Sequence, residues 1–173
     1  MDDNVRFVRG VRPGYIGGIA RMHGEYYATA WGSDVAFEAL MAKEIIAWWE
    51  RYDEHRDLLL TAHVGDILAG SVAIDGSQSE RPGWARLRWF LLEPRFQGQG
   101  IGKSLIQDAL AFCAAPRFSG TYLWTVEGLP QSLRLYEQNG FAVVGRESDD
   151  RYSVPHVNLC MERRAPNGGK YNS

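Results

Sequence analysis

Residues 96–104 read FQGQGIGKS. Gly98, Gly100 and Gly102 alternate with other residues, and Lys103 and Ser104 follow. An apolar run, LRWFLLEP, precedes the stretch, and an apolar-periodic segment, LIQDALAFC, follows it. A glycine-rich turn that opens a helix bares backbone N–H groups at the positive end of the helix dipole. The chemistry that suits such a turn is phosphate binding. A triphosphate loop needs G-x-x-x-x-G-K-[ST]. Gly102-Lys103-Ser104 supplies its end, but the opening glycine falls on Gln97. A dinucleotide loop needs G-x-G-x-x-G. Started at Gly98, its third glycine falls on Lys103; started at Gly100, it falls on Leu105. A turn without a ligand seldom requires three close glycines, because each costs entropy on folding. The frame that remains is Gln97-x-x-Gly100-x-Gly102.

The elements around the loop follow from periodicity and punctuation. Val5–Val11 alternates weakly and reads as a first strand. A helix from about Pro13 to Ala30 carries Ile16, Ile19, Ala20, His23 and Tyr27 at helical spacing, with Gly17, Gly18 and Gly24 weakening it. Ser33 or Asp34 can cap a second helix, which sets Phe37, Leu40, Met41, Ile45, Trp48 and Trp49 on one side and ends near Tyr52. Strands Leu58–Val64 and Ile67–Asp75 flank Gly65-Asp66, a two-residue hairpin signal. The loop GSQSERPG leads to a longer strand, Trp84–Glu93, which stops at Pro94. The glycine turn and its helix run to about Ala115. A strand at 121–127, a short helix from Pro130 to the Asn139-Gly140 stop, and strands near Phe141–Glu147 and His156–Glu162 complete the order β-α-α-β-β-β-α-β-α-β-β. Helices alternate with strands only in the second half. The pattern predicts an α/β protein with a mixed sheet of about seven strands and helices on both faces.

Bulk composition narrows the function classes. The chain has 173 residues, enough for one domain with a full core. Its net charge of −2 lacks the basic footprint of a nucleic-acid binder. No apolar run approaches the roughly 18 residues of a membrane span. The charged N-terminus, MDDNVRFVRG, has no signal-peptide core, so the expected location is cytoplasmic. Cys113, on the apolar face of a predicted helix, and Cys160, in a predicted strand, read as reduced buried residues. Their spacing suggests no zinc, and no metal site is expected.

The Gln97-x-x-Gly100-x-Gly102 frame resembles the (Q/R)-x-x-G-x-(G/A) motif of the GNAT N-acetyltransferase superfamily, in which the turn cradles the pyrophosphate of acetyl-coenzyme A. LRWFLLEP resembles the central strand of that family, YLWTVE its next strand, and LRLYEQNGF, residues 133–141, its later helix with a terminal "LYE…GF" signature. The match covers about residues 57–164 well and the first 55 loosely. LRWFLLEP, ALAFC, YLWTVEGL and LYEQNGF are closest to the acetyltransferase halves of bacterial proteins that fuse a MarR-type DNA-binding domain to a GNAT domain. No winged-helix region stands ahead of them in this sequence, so no DNA binding is expected.

The resemblance implies a GNAT-like fold, splayed between the fourth and fifth strands, in a single N-acetyltransferase domain over 1–164 with a flexible tail at 165–173. It implies transfer of an acetyl group from acetyl-CoA to a primary amine by direct attack, on a small molecule or a peptide, in a protein that can be a homodimer. The alternative is a non-catalytic acyl-CoA-binding sensor or interaction module. In the implied site, backbone N–H groups of Gln97, Gly98, Gln99, Gly100, Ile101, Gly102 and Lys103 hold the pyrophosphate. Backbone groups of Leu91 and Leu92 bond the pantetheine arm and thioester oxygen. Tyr136 donates a proton to the departing thiolate. Glu93 or Glu127, at the two strand ends, takes the proton of the amine. Tyr26, Tyr27 and Trp31, on the acceptor side, wall an amine pocket. In many family members an asparagine stands about seven residues before the signature tyrosine. Here that place is Leu129, so coenzyme contacts on that side differ.

Overall fold

A computed structural model describes residues 5–77, 80–149 and 155–165. The expected flexible tail lies, beyond Ala165, outside the described residues. The element order is β1 (Val5–Arg9), α1 (Tyr15–Trp31), α2 (Val35–Trp49), β2 (Leu58–Val64), β3 (Ile67–Asp75), β4 (Trp84–Leu92), α3 (Ile101–Cys113), β5 (Gly120–Val126), α4 (Pro130–Gln138), β6 (Ala142–Asp149) and β7 (His156–Arg164). A short 3-10 turn, Pro94–Phe96, follows β4. The strands form one seven-stranded sheet in the order β1-β2-β3-β4-β5-β7-β6. All neighbours are antiparallel except β4 and β5. This is the mixed α/β sheet that the sequence predicts. The placing of β7 between β5 and β6 comes from the fold alone.

Local chemistry sets the element ends. Asp34, not Ser33, caps α2, accepting from the Ala36 N–H at 2.9 Å. The expected helix start at Pro13 moves to Tyr15, after Gly14 in a left-handed conformation. Gly24 weakens α1 as a helix former but lets α2 come close: a Cβ there would lie 2.8 Å from Glu38 Oε2.

Each face of the sheet has its own core. On one side, α1 and α2 bring Ile19, Phe37, Met41, Ile45 and Trp48 against Leu59, Ala73 and Trp89. On the other, Ile101, Leu105, Ile106, Ala109 and Cys113 of α3, with Tyr136 of α4, pack on Leu58, Val72, Ile74, Leu87 and Leu123. Cys113 and Cys160 are free and buried, as the sequence suggests. Burial pushes the Cys113 thiol up to about 11. Among the described residues, no helix is long and apolar enough to cross a membrane.

Candidate active site

The sheet opens where β4 meets β5. Among the described residues these parallel strands share only the pairs Trp84–Gly120, Ala85–Thr121 and Arg86–Tyr122. Beyond them β4 runs to Leu92 and β5 to Val126 without a common rung. β5 pairs with β7 over its whole length, so the parting lies on the β4 side alone.

A bulge in β4 accompanies the parting. Ser71 faces Leu91 and Ala73 faces Arg88, so two steps along β3 span three along β4. Trp89 takes a φ of 48°, a rare conformation for a bulky residue. The buried Ser71 hydroxyl donates to the Trp89 carbonyl at 2.8 Å and ties the bulge to β3. The bulge turns Trp89 toward the α1–α2 core, and the Arg88 guanidinium stacks 4.4 Å from its ring. Arg88 is held by Glu44 at 2.6 Å and Asp75 at 3.3 Å, and Arg51 grips Asp75 at 2.9 and 2.6 Å. A run of charges thus fixes the strand at its irregular point.

A cavity of about 520 Å³ fills the parting. Its walls come from α1 (His23, Tyr26, Tyr27, Trp31), β4 (Arg86 to Leu91), β5 (Leu123 to Val126) and α4 (Ser132, Tyr136), with Glu147, His156 and Asn158 from the β6–β7 side. Tyr136 is 5% exposed, between Phe90 and Phe141, each ring 5.9 Å away. Burial, and then the nearness of Tyr27, raises its pKa well above the ordinary phenol value. Its proton therefore stays on oxygen at neutral pH.

Beyond β4, the Gln97 N–H donates to the Pro94 carbonyl at 3.2 Å, and its side chain donates to the Leu92 carbonyl at 3.2 Å. Gly98 and Gly100 have φ of 78° and 83°, which turn the chain into α3. The first bond within the helix runs from the Ser104 N–H to the Gly100 carbonyl at 3.0 Å. Among the described residues, the N–H groups from Gly98 to Lys103 have no backbone acceptor. The positive helix end and these bare donors match an anion.

A profile of the acetyltransferase (GNAT) family matches residues 19–141. The chain belongs to that family. Known folds agree. Salmonella typhimurium yncA, whose structure holds its cofactor acetyl-CoA, superposes with a TM-score of 0.75 at 11% identity, over 99% of this chain and 99% of that one. A GNAT-family protein from Desulfovibrio desulfuricans gives 0.71 at 17% identity, over 92% and 98%. Human N-acetylaspartate synthetase is 32% identical over 73 residues, 42% of this chain. The match spans only 24% of that protein's length.

The family's coenzyme fits what the residues offer. The unaccepted amides suit a diphosphate, and the parted strands leave strand-edge backbone groups for an extended arm. Of the residues picked from the sequence, Tyr136, Leu91, Tyr26, Tyr27 and Trp31 line the cavity together. Leu92 and the loop from Gln97 to Lys103 lie beyond its lining. So do both glutamates. Glu93 pairs with Arg95 at 2.7 Å, and Glu127 pairs with Arg146 on an exposed surface. Among the described residues, the carboxylates lining the cavity are Glu44, Glu80 and Glu147. Sequence reasoning passed over these, because no motif marks them and they come from α2, the β3–β4 loop and β6. Leu129, in the asparagine's place, also lines the cavity.

Proposed function

We propose that the protein is an acetyl-CoA-dependent N-acetyltransferase that acts on a primary amine by direct attack, with Tyr136 as general acid. The observation that carries this is the buried Tyr136 phenol in a cavity between parted strands, with unaccepted amides at the adjoining helix start. When bound, acetyl-CoA supplies an acetyl group already activated as a thioester. The chain's work is then mainly positioning and proton management. The amides from Gly98 to Lys103 hold the diphosphate, and the Gln97 side chain braces the turn through the Leu92 carbonyl. Main-chain groups of Leu91 and Leu92, freed from β5, align the arm and the acyl oxygen. Tyr26, Tyr27 and Trp31 wall the amine pocket. Tyr136 keeps its proton until a thiolate leaves. Glu93 or Glu127, at the diverging strand ends, takes the amine's proton, directly or through water. Small-molecule and peptide amines are both acceptors of the right chemistry.

The engagement of both glutamates in ion pairs favours a second reading, an acyl-CoA-binding module without chemistry. One experiment separates the two. The protein, acetyl-CoA and a panel of amines should release free thiol. Tyr136→Phe should lower kcat by roughly 10²–10⁴-fold and leave acetyl-CoA affinity unchanged. Coenzyme binding without thiol release for any amine supports the sensor. Equal turnover of Tyr136→Phe removes that residue from the mechanism.

A further inference from the structure

His23 is a buried ionisable residue that the steps above leave unused. It sits in the middle of α1 at 5% exposure and lines the cavity. Its Nδ1 lies 2.9 Å from the Ile19 carbonyl. A carbonyl only accepts, so Nδ1 carries the hydrogen and Nε2 carries the lone pair. Among the described residues Nε2 has no partner. Nε2 also keeps some open surface, because Trp48 Nε1 is, among the described residues, the one fully enclosed side-chain nitrogen or oxygen without a partner. What surface the ring retains therefore opens on the cavity. Tyr27 stands one helical turn further along the same stripe and is near enough to bear on the Tyr136 phenol. His23, Tyr27 and Tyr136 thus share one chamber with Phe37, Met41 and Trp89.

We propose that His23 is an amine-binding residue, whose Nε2 lone pair accepts a hydrogen bond from the N–H of the primary amine to be acetylated. The inference rests on the N-acetyltransferase reading and adds the anchor for its nucleophile. The backbone bond fixes both the ring plane and the tautomer, so the acceptor direction is set before an amine arrives. Burial, opposed by the bond to Ile19, pushes the pKa of the ring down to about 4. The imidazole therefore stays uncharged in the neutral range and does not repel an incoming ammonium. Tyr27, Phe37, Met41 and Trp89 give the ring an aromatic and aliphatic surround, while Glu44, Glu80 and Glu147 line the cavity elsewhere.

The test reads the ring directly. The side-chain 15N resonances of the wild-type protein, saturated with coenzyme A, are followed while phenethylamine, glycinamide, spermidine and L-alanine are added in turn. At least one amine should shift Nε2 of His23 in the direction of an accepted hydrogen bond, with Nδ1 still protonated. His23→Asn keeps a donor for Ile19 and removes the distal acceptor. It should raise KM for that amine roughly 10-fold while KM for acetyl-CoA holds. His23→Gln, which again reaches the distal position with an oxygen, should recover part of the loss. Thiol release with no Nε2 shift overturns this proposal and leaves acetyl transfer standing. An Nε2 shift with no thiol release upholds the amine site and overturns acetyl transfer. Absence of both overturns both. Equal losses in the two KM values of His23→Asn assign the residue to packing and overturn the proposal.

Discussion

Gly100 and Gly102 stand two residues apart in one motif, yet the structure assigns them opposite costs on substitution. Gly100 precedes the first turn of α3 with φ 83°, and a Cβ added there meets nothing within 4 Å. Gly100→Ala therefore carries a backbone penalty without a clash, about 1–2 kcal/mol for an L-residue held left-handed. Gly102 is already right-handed inside the helix. Its Cβ would lie 3.7 Å from Leu92 Cδ2 and Phe90 Cζ, an ordinary contact. Gly102→Ala gains helix propensity of up to about 1 kcal/mol. For a chain of this size, roughly 2–4 °C accompanies each kcal/mol. Thermal melts without ligand should then show Gly100→Ala about 2–8 °C below the wild type and Gly102→Ala level with it or up to about 4 °C above. Melts repeated with acetyl-CoA at roughly 100 times its Kd should raise wild-type stability by about 2.7 kcal/mol. Gly100→Ala should show a smaller increment, because its amides are re-aimed. If the two variants shift together, or Gly100→Ala melts with the wild type, α3 does not begin on a left-handed glycine, and the account of the loop's donors fails.

Other perturbations test the scaffold around the cavity. Asp75→Asn leaves the largely buried Arg88 with Glu44 alone, and urea denaturation should show a loss of about 3–5 kcal/mol. Burial acts to raise the Asp75 pKa, but Arg51 and Arg88 outweigh it and hold the carboxyl below its usual range. Its contribution is thus complete above the unfolded value of about 4 and lost as pH falls through the lower folded one. The gap between variant and wild type should stay flat from neutral to about pH 5 and narrow on further acidification. Ser71→Ala strands the Trp89 carbonyl at the bulge; we expect about 1–3 kcal/mol by denaturation and a lower kcat. Glu93→Gln and Glu127→Gln are each expected to slow turnover at saturating amine with little change in melting temperature, and full activity of the double variant would move the base role elsewhere.

What the sequence makes legible here is what local chemistry controls. Leu58–Val64 and Ile67–Asp75 can be bounded from the residues because Gly65-Asp66 marks the turn between the facing pair Val64 and Ile67, although the register shift beyond His63 leaves no such mark. Asp34 announces α2, and Asn139-Gly140 closes α4. The turn ahead of α3 is readable because its backbone demands leave a glycine pattern. The bulge at Trp89 is not. LRWFLL is apolar on nearly every residue, so an extra residue leaves no break in the alternation. The Arg51–Asp75–Arg88–Glu44 chain joins α2, β3 and β4, and no spacing along the sequence encodes that meeting. The same holds for the carboxylates in the cavity. The strand ends drew attention to Glu93 and Glu127, whereas side-chain direction and ion pairing put other acids on its walls.

The parting of β4 from β5 has a mechanical side. One slab, β1 to β4, carries α1 and α2; the other, β5 to β6, is stitched to it by a short stack of shared rungs at one end. Arg81, just ahead of β4, adds a strap by reaching Glu162 and the Cys160 sulfur on β7. Within the sheet the slabs are therefore joined as two book covers are joined at the spine, with α3 packed across both. Anything wedged along the open side acts as a bookmark that sets how far the covers stand apart.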